Sequence, residues 1–164
     1  MATQTDKLHR TANDLPAETR KEIIPLLQAS LADTLDLQTH MRQAHWNLKG
    51  PNFYSLHKLF DEVVASAGIW IDEIGERIVM MGGQARGTAR AAAAETRLPD
   101  YPLDITAEGD HLQAAVASLS TYCGSTRDCV GACQDLGDET SAHIFIETSR
   151  AVDKYLWFAE AHLQ

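Results

Sequence analysis

The chain has 164 residues, of which 45% are hydrophobic and 23% are charged, and its formal net charge is −9. This length and composition fit one globular domain, residues 1–164, that can bury a core. The acidic balance favours cations over nucleic-acid phosphates as partners. No segment approaches the roughly 18 apolar residues of a membrane span, and no apolar signal core follows Met1, so we expect a cytoplasmic protein.

Residues 1–16 precede the first predicted helix, and we expect them to form a flexible N-terminal arm. The first 24 residues carry four basic and four acidic side chains, namely Lys7, Arg10, Arg20, Lys21, Asp6, Asp14, Glu18 and Glu22. Because these charges balance, the arm lacks the concentrated positive charge that tight DNA binding requires. DNA binding is therefore doubtful.

The first half of the chain predicts two long helices with apolar side chains along one stripe of each. The first should run from about Ala17 to Leu48 and the second from about Tyr54 to Met81, with glycine-containing segments after each. Pro25 interrupts the first helix, which should be kinked there or restart there.

The second half of the chain predicts a long connection followed by two more helices. The connection, residues 87–102, contains the alanine-rich run TARAAAAE, which favours a short helix. Thr106 is expected to cap a third long helix that ends near Leu136, and Asp138 to cap a fourth that ends near His162.

Four long helices, with a short extra helix in the one long connection between the second and third, predict an all-α, ferritin-like four-helix bundle. No run of alternating β-branched residues predicts a strand. A generic four-helix bundle would show the same pattern, so the architecture alone leaves the function open.

Four potential metal ligands share one stripe of the second helix. Their directions relative to the first of them are roughly 0°, 40°, 60° and 100°, in the order His57, Asp61, Asp72 and Glu76. Imidazole and carboxylate donors suit iron, manganese or zinc better than metals that prefer thiolates. The alternative is a non-catalytic bundle whose charged stripe faces water and keeps the surface soluble.

The spacing of these ligands predicts a site shared between two chains. Asp61 and Asp72 lie roughly 16 Å apart along the helix axis, too far for one metal site. If a second copy packs antiparallel about a two-fold axis, His57 and Asp61 on each helix meet Asp72 and Glu76 on the helix of the partner. His45, near the end of the first helix, is then the natural fifth ligand.

Four segments of the sequence resemble the Dps family of miniferritins. They are AHWNLKGPNFYSLHKLFDE at residues 44–62, IDEIGERI at 71–78, YPLDI at 101–105 and SRAVDKYLWF at 149–158. The resemblance extends over nearly the whole chain after about residue 20. It implies a ferritin-like fold and a homododecamer that is built from two-fold dimers around a hollow shell.

The resemblance also implies a function. In this family the matching residues form a mono-iron or di-iron ferroxidase centre, with His45, His57 and Asp61 from one subunit and Asp72 and Glu76 from its partner. The family oxidises Fe(II), preferably with hydrogen peroxide, and stores ferric mineral, which protects against oxidative damage. Zinc or manganese can substitute for iron. Trp46 would lie near the site, where it could intercept oxidising radicals.

An iron-entry pore is a further expectation from the resemblance. The family gathers acidic residues around a three-fold pore, and the matching positions here are Asp138, Glu139 and His143. The alternative for the two acids is a purely local role, because negative charge at a helix N-terminus complements the helix dipole.

A DNA-compacting nucleoid protein with weak or secondary ferroxidase activity is the alternative function. Some members of the family bind DNA through lysine-rich tails, which would associate the protein with the nucleoid. The balanced N-terminal arm and the net charge of −9 argue against tight binding here.

The remaining candidate ligands are given structural roles. The third helix carries one Glu-x-x-His motif, at Glu108 and His111, whereas the usual ferritin centre needs two such motifs. We predict surface or capping roles for the unmatched histidines, which are His9, His40, His111 and His162. Three cysteines, Cys123, Cys129 and Cys133, are expected to be reduced thiols that behave as small buried hydrophobes.

Overall fold

The computed structural model describes residues 8–164, which fold into five α-helices connected by loops. The helices are α1 (Ala17–Asn47), α2 (Phe53–Met80), α3 (Ala89–Glu95), α4 (Glu108–Asp135) and α5 (Glu139–Ala161). Within the described part of the chain there is no β-strand, only an isolated parallel bridge between Lys49 and Ala107. The predicted all-α bundle, with a short helix in its long connection, is confirmed.

The four long helices pack as two pairs, α1 with α2 and α4 with α5, and further contacts join α1 to α4 and α2 to α5. Their apolar stripes meet in one core, whose largest fully buried side chains include Tyr122, Phe60, Phe145 and Met41. Each fully buried side chain of this kind contributes about 1.5–3 kcal/mol relative to an exposed one. None of the helices among residues 8–164 is both long and apolar enough to cross a bilayer.

Helix α1 continues through Pro25 without restarting. Pro25 is exposed, whereas Ile24 and Leu27 on either side of it are buried in the core. A proline inside a helix costs about 3 kcal/mol, and burial of the flanking side chains offsets this cost. The alternative of a restart at this position is therefore wrong.

Thr106 does not cap α4, contrary to the sequence prediction. The N-cap residue is Ala107, and no side chain caps the helix. The backbone of Thr106 takes part in the bridge to the loop after α1 instead: Lys49 N–H donates to the Thr106 carbonyl at 2.8 Å, and Glu108 N–H donates to the Lys49 carbonyl at 3.0 Å. The start of α4 is thus fixed by pairing with a distant loop, which helix-capping patterns do not reveal.

The long connection is attached to α1 by a buried carboxylate. Asp33 has no exposed surface and accepts hydrogen bonds from the backbone N–H of Arg97 at 2.7 Å and from its guanidinium at 2.6 and 3.0 Å. Thr88 caps α3 by accepting from the Ala91 N–H. These contacts hold the crossover in place.

Residues 8–16 are anchored to the end of α2. His9 N–H donates to the Gly82 carbonyl at 2.7 Å, and the Thr11 hydroxyl donates to the Met80 carbonyl at 3.3 Å. Leu8 and Leu15 pack against the core. These contacts place residues 8–16 of the predicted arm against the core, and its first seven residues, with Asp6 and Lys7, lie outside the described part of the chain.

Two histidines that were predicted to have surface or capping roles are buried. His40 on α1 contacts Ser118 through Nδ1 at 3.0 Å, and His111 on α4 contacts the Tyr101 hydroxyl through Nδ1 at 2.7 Å. Each partner comes from a different element of the fold, so spacing along one helix could not reveal it. The three cysteines are free and buried, as predicted.

Candidate metal centre

His45, at the end of α1, and His57, at the start of α2, form a stacked pair of imidazole rings. The ring centroids lie 3.7 Å apart and the planes are inclined by 20°. Nδ1 of His45 is 3.0 Å from the backbone carbonyl of His57, and Nδ1 of His57 is 2.9 Å from the backbone carbonyl of His45. Since a carbonyl can only accept, each Nδ1 carries the proton and each Nε2 keeps its lone pair for a metal ion.

The loop between the two histidines is held by α4. The carboxylate of Glu108 accepts hydrogen bonds from the backbone N–H and the side-chain amide of Asn52, both at 2.9 Å. Gly50 lies against the same carboxylate, because a Cβ at this position would lie only 2.2 Å from Glu108 Oε2. Two side chains that are twelve residues apart are thereby brought face to face.

Asp61 lies one helical turn after His57 and is about half exposed. Its Oδ1 is 3.4 Å from Nη1 of Arg42, which is long for a charge-assisted hydrogen bond. Arg42 therefore orients the carboxylate only weakly. Arg42 is not among the predicted ligands, and in the sequence only its position one turn before His45 indicates it.

Asp72 and Glu76 are exposed on the same helix, further along α2. With Gly75 they line an open depression whose apolar side is formed by Val79 and Met80, both exposed. Across residues 8–164, no three His, Cys, Asp or Glu side chains lie close enough together to hold a metal ion. One chain thus brings the two histidines together but leaves Asp72 and Glu76 apart from them.

Apolar side chains are exposed on this face of the subunit. Ile69 and Val79 are on the same stripe of α2 as the carboxylates, and Trp46 directly follows His45. Trp46 is 68% exposed and lines a cavity of about 540 Å³ together with Arg42. Exposed large apolar side chains beside polar groups are typical of an interaction surface.

Asp138, predicted both as a helix cap and as a pore residue, is 2% exposed. It caps α5 by accepting from the Ser141 N–H at 3.1 Å, as predicted, and it accepts from Nη2 of Arg77 at 2.8 and 2.9 Å. Burial raises its pKa, but the hydrogen bonds from Ser141 and Arg77 outweigh burial, so the pKa lies below the ordinary value. Glu139 and His143 are exposed, so of the three predicted pore residues these two face solvent.

The single Glu-x-x-His motif of α4 is structural. Glu108 binds Asn52, and His111 is buried against Tyr101. The Glu108 side chain therefore holds the loop between His45 and His57, and the His111 side chain packs inside the fold. Structural roles are expected for a Glu-x-x-His motif that has no second copy.

The sequence matches the ferritin-like domain family over residues 24–164. It is 41% identical over 158 residues to the DNA protection during starvation protein (Dps) of Agrobacterium fabrum, covering 96% of this chain and 98% of that protein. The chain belongs to the Dps family of ferritin-like proteins. The Dps protein of Mycolicibacterium smegmatis is 33% identical over 147 residues, covering 87% of this chain and 78% of that protein.

Solved Dps structures show the same fold. A Dps of Mycobacterium smegmatis superposes with a TM-score of 0.91 at 28% identity, covering 96% of this chain and 95% of the other. DpsC of Streptomyces coelicolor superposes with a TM-score of 0.91 at 26% identity, covering 96% and 92%. The resemblance to the Dps family that the sequence motifs indicate is thus confirmed.

Proposed function

We propose that this Dps protein oxidises Fe(II) and stores the ferric product, at a ferroxidase site that two copies of the chain complete. His45, His57 and Asp61 come from one subunit, and Asp72 and Glu76 come from its partner. The observation that carries the proposal is the stacked histidine pair. Both Nδ1–H groups donate to backbone carbonyls, so both Nε2 lone pairs are left to bind a metal ion. Membership of the ferritin-like family supports iron as the metal.

The need for a second copy follows from the length of α2. At a rise of about 1.5 Å per residue, Asp61 and Asp72 are roughly 16 Å apart, and the described chain holds no metal-binding cluster of its own. In an antiparallel partner, the end of α2 that carries Asp72 and Glu76 lies against the end of α2 that carries His57 in this chain. The exposed Ile69 and Val79 then become buried between the subunits.

The donor set fits the chemistry. Neutral imidazoles and carboxylates bind Fe(II), and the carboxylates stabilise the additional positive charge of Fe(III). Two Fe(II) ions give two electrons to one hydrogen peroxide molecule, which takes up two protons and yields two water molecules. Zinc or manganese would compete for the same donors, and the net charge of −9 per chain attracts all of these cations.

Storage requires an enclosed assembly, for which we propose a cytoplasmic homododecamer built from two-fold dimers. In this assembly Glu139 and His143 line an entry route for iron, while Asp138 holds the start of α5 behind them. Trp46 directly follows His45 and is exposed, which supports a role in reacting with oxidants that leave the site.

Replacing His45, His57 and Asp61 together by alanine should remove fast oxidation of Fe(II) by peroxide, because the nitrogen donors and the first carboxylate are lost. We expect the rate to fall to that of Fe(II) in buffer, as measured by stopped-flow absorbance under anaerobic conditions. A matched control carries alanine at the exposed His162 and Asp104 and should keep the wild-type rate. A wild-type rate in the triple variant would refute the site.

Direct DNA compaction is the second candidate, since the relatives are named for DNA protection during starvation. The net charge of −9 predicts weak binding that is lost as salt rises. A gel-shift assay with plasmid DNA at low salt measures this, and we expect no complex at micromolar protein. Tight binding that persists at physiological salt would make DNA compaction the leading function.

A further inference from the structure

Cys129 and Cys133 form a pair of buried thiols that the proposed iron chemistry does not use. They lie one helical turn apart on α4, and the two residues are 4% and 0% exposed, respectively. Residues four apart on a helix share one face, with Cβ atoms about 5–6 Å apart. Both cysteines are free of disulfide bonds, so both sulfur atoms can bind a ligand.

The part of α4 that carries this pair is held on both sides. The Cys133 carbonyl accepts a hydrogen bond from the Asp138 N–H at 2.9 Å, across a turn in which Gly137 has a φ of 77°. This bond belongs to a Schellman motif, which fixes the last turn of a helix. The Arg97 guanidinium lies beside the Cys129 thiol and is itself bound to a buried carboxylate. The pair therefore lies on a rigid part of the helix.

Each thiol of the pair has a guanidinium group near it. Burial raises the pKa of Cys129 to about 11 and that of Cys133 to about 12, while Arg97 lowers the first pKa and Arg77 lowers the second. Both thiols therefore keep their protons at neutral pH. If a metal ion displaces these protons, the two guanidiniums stabilise the negative charge that the sulfur atoms then carry.

The number of donors selects the kind of metal ion. No group of three His, Cys, Asp or Glu side chains among residues 8–164 lies close enough together to hold one, so the pair offers two thiolates and no third ligand of these types. Structural zinc sites need four ligands, and iron–sulfur clusters are held by four. Cu(I) is a soft ion that prefers sulfur, and it is stable between two thiolates in a linear arrangement. The donor set therefore fits Cu(I).

The spacing of the pair also fits one ion. A metal–thiolate bond is about 2.3 Å long, so one ion with a thiolate on either side bridges sulfur atoms roughly 4.6 Å apart. Side chains whose Cβ atoms are about 5–6 Å apart can reach this separation by small rotations about χ1. No movement of the helix backbone is required.

We propose that Cys129 and Cys133 bind one Cu(I) ion per chain as a buried site with two thiolate ligands. Both S–H bonds break, two Cu–S bonds form and two protons leave to solvent, so nothing is oxidised or reduced. The bound unit carries one negative charge, which Arg97 and Arg77 stabilise. The ion enters beside Arg97, because this side chain is 46% exposed and lies next to Cys129.

The site gives the chain a protective role toward a second redox-active metal. Free Cu(I) gives one electron to hydrogen peroxide, which splits into a hydroxyl radical and a hydroxide ion, and Cu(II) is the product. Cu(I) between two buried thiolates is shielded from peroxide in solution. This inference does not depend on the ferroxidase proposal, because it uses none of the proposed iron ligands.

Cys123, on the same helix, provides a matched control. It is also buried, at 1% exposed, but it lies six residues before Cys129 and therefore roughly 120° away around the helix. Its charged neighbours include Asp153 and Arg127, and it has no second thiol one turn away. Cys123→Ala thus removes a buried thiol from α4 and leaves the pair intact.

The site can be tested by anaerobic titration of the intact, iron-free protein with Cu(I), in competition with the chelator bathocuproine disulfonate. Zn(II) is present to occupy the imidazole and carboxylate donors of the proposed iron site. We expect the wild type and Cys123→Ala to take one Cu(I) ion per chain from the chelator. Cys129→Ala and Cys133→Ala should take none, because one thiolate is left. Wild-type uptake by either of these two variants, or no uptake by the wild type, would overturn the inference.

X-ray absorption at the copper edge tests the same site without any substitution. We expect two sulfur ligands and no nitrogen or oxygen ligand in the Cu(I)-loaded wild type. A spectrum with nitrogen or oxygen ligands would place the copper elsewhere and refute the site. Neither experiment measures iron oxidation, so failure of this inference is distinguishable from failure of the ferroxidase proposal.

Discussion

We expect the His57→Ala variant to be inactive in Fe(II) oxidation, and likewise the Glu76→Ala variant. When subunits of the two variants assemble together, about a quarter of the wild-type number of intact sites should form. In a mixed two-fold dimer, one site contains both substitutions and the other contains neither. Random pairing makes about half of the dimers mixed, and each of these has one intact site of two. The rate of Fe(II) loss per subunit after co-expression measures the recovery.

The matched control for this experiment mixes subunits that carry His57→Ala with subunits that carry His45→Ala. Both substitutions lie in the same half of the site, so every site of a mixed dimer lacks one histidine and no activity should return. Recovery that is equal in both mixtures would contradict a site shared between chains. No recovery in either mixture would show that the carboxylates and histidines do not meet across a dimer.

Replacing Asp138 by alanine is expected to lower the free energy of unfolding by about 3–5 kcal/mol. The change leaves the Arg77 guanidinium, itself buried, without its anion, and it also removes the cap of α5. Urea unfolding at fixed protein concentration measures the loss. Glu139→Ala removes the exposed neighbouring charge, and its cost should stay below about 1 kcal/mol.

The same ion pair predicts how the loss depends on pH. The pKa of Asp138 in the folded chain lies below its ordinary value of 3.8, so its stabilising effect is complete above that value and is lost as the pH falls through the folded pKa. The difference between the wild type and Asp138→Asn should therefore shrink below about pH 4. An unchanged difference in acid would show that the carboxylate is not bound as an anion.

Features that depend on neighbouring residues could be predicted from the sequence. The helix stripes, the Asp138 cap and the spacing of His57 and Asp61 on one face all follow from local periodicity. The bridge that fixes the start of α4 did not follow, because Thr106 and its partner Lys49 are far apart in the sequence. The buried partner of Asp138 was missed for the same reason, since Arg77 lies on another helix.

The sequence predicts a set of ligands for the proposed site but not the geometry in which the structure holds them. Helical spacing identifies which residues share a face, and it gave the argument for a second chain. It could not reveal that His45 and His57 stack and bind each other's carbonyls, because this depends on the path of the loop between them. The Tyr101–His111 contact was missed because it joins a loop to a helix.

In the proposed site, the close contact between Gly50 and Glu108 would make the affinity of the two imidazoles for iron depend on residues remote from them. Any larger residue at position 50 must displace the Glu108 carboxylate, which would release Asn52 and let the two rings drift apart. Metal affinity at the proposed site would therefore depend on the first turn of α4. We expect substitutions in that turn to lower the proposed ferroxidase activity while every predicted ligand is still in place.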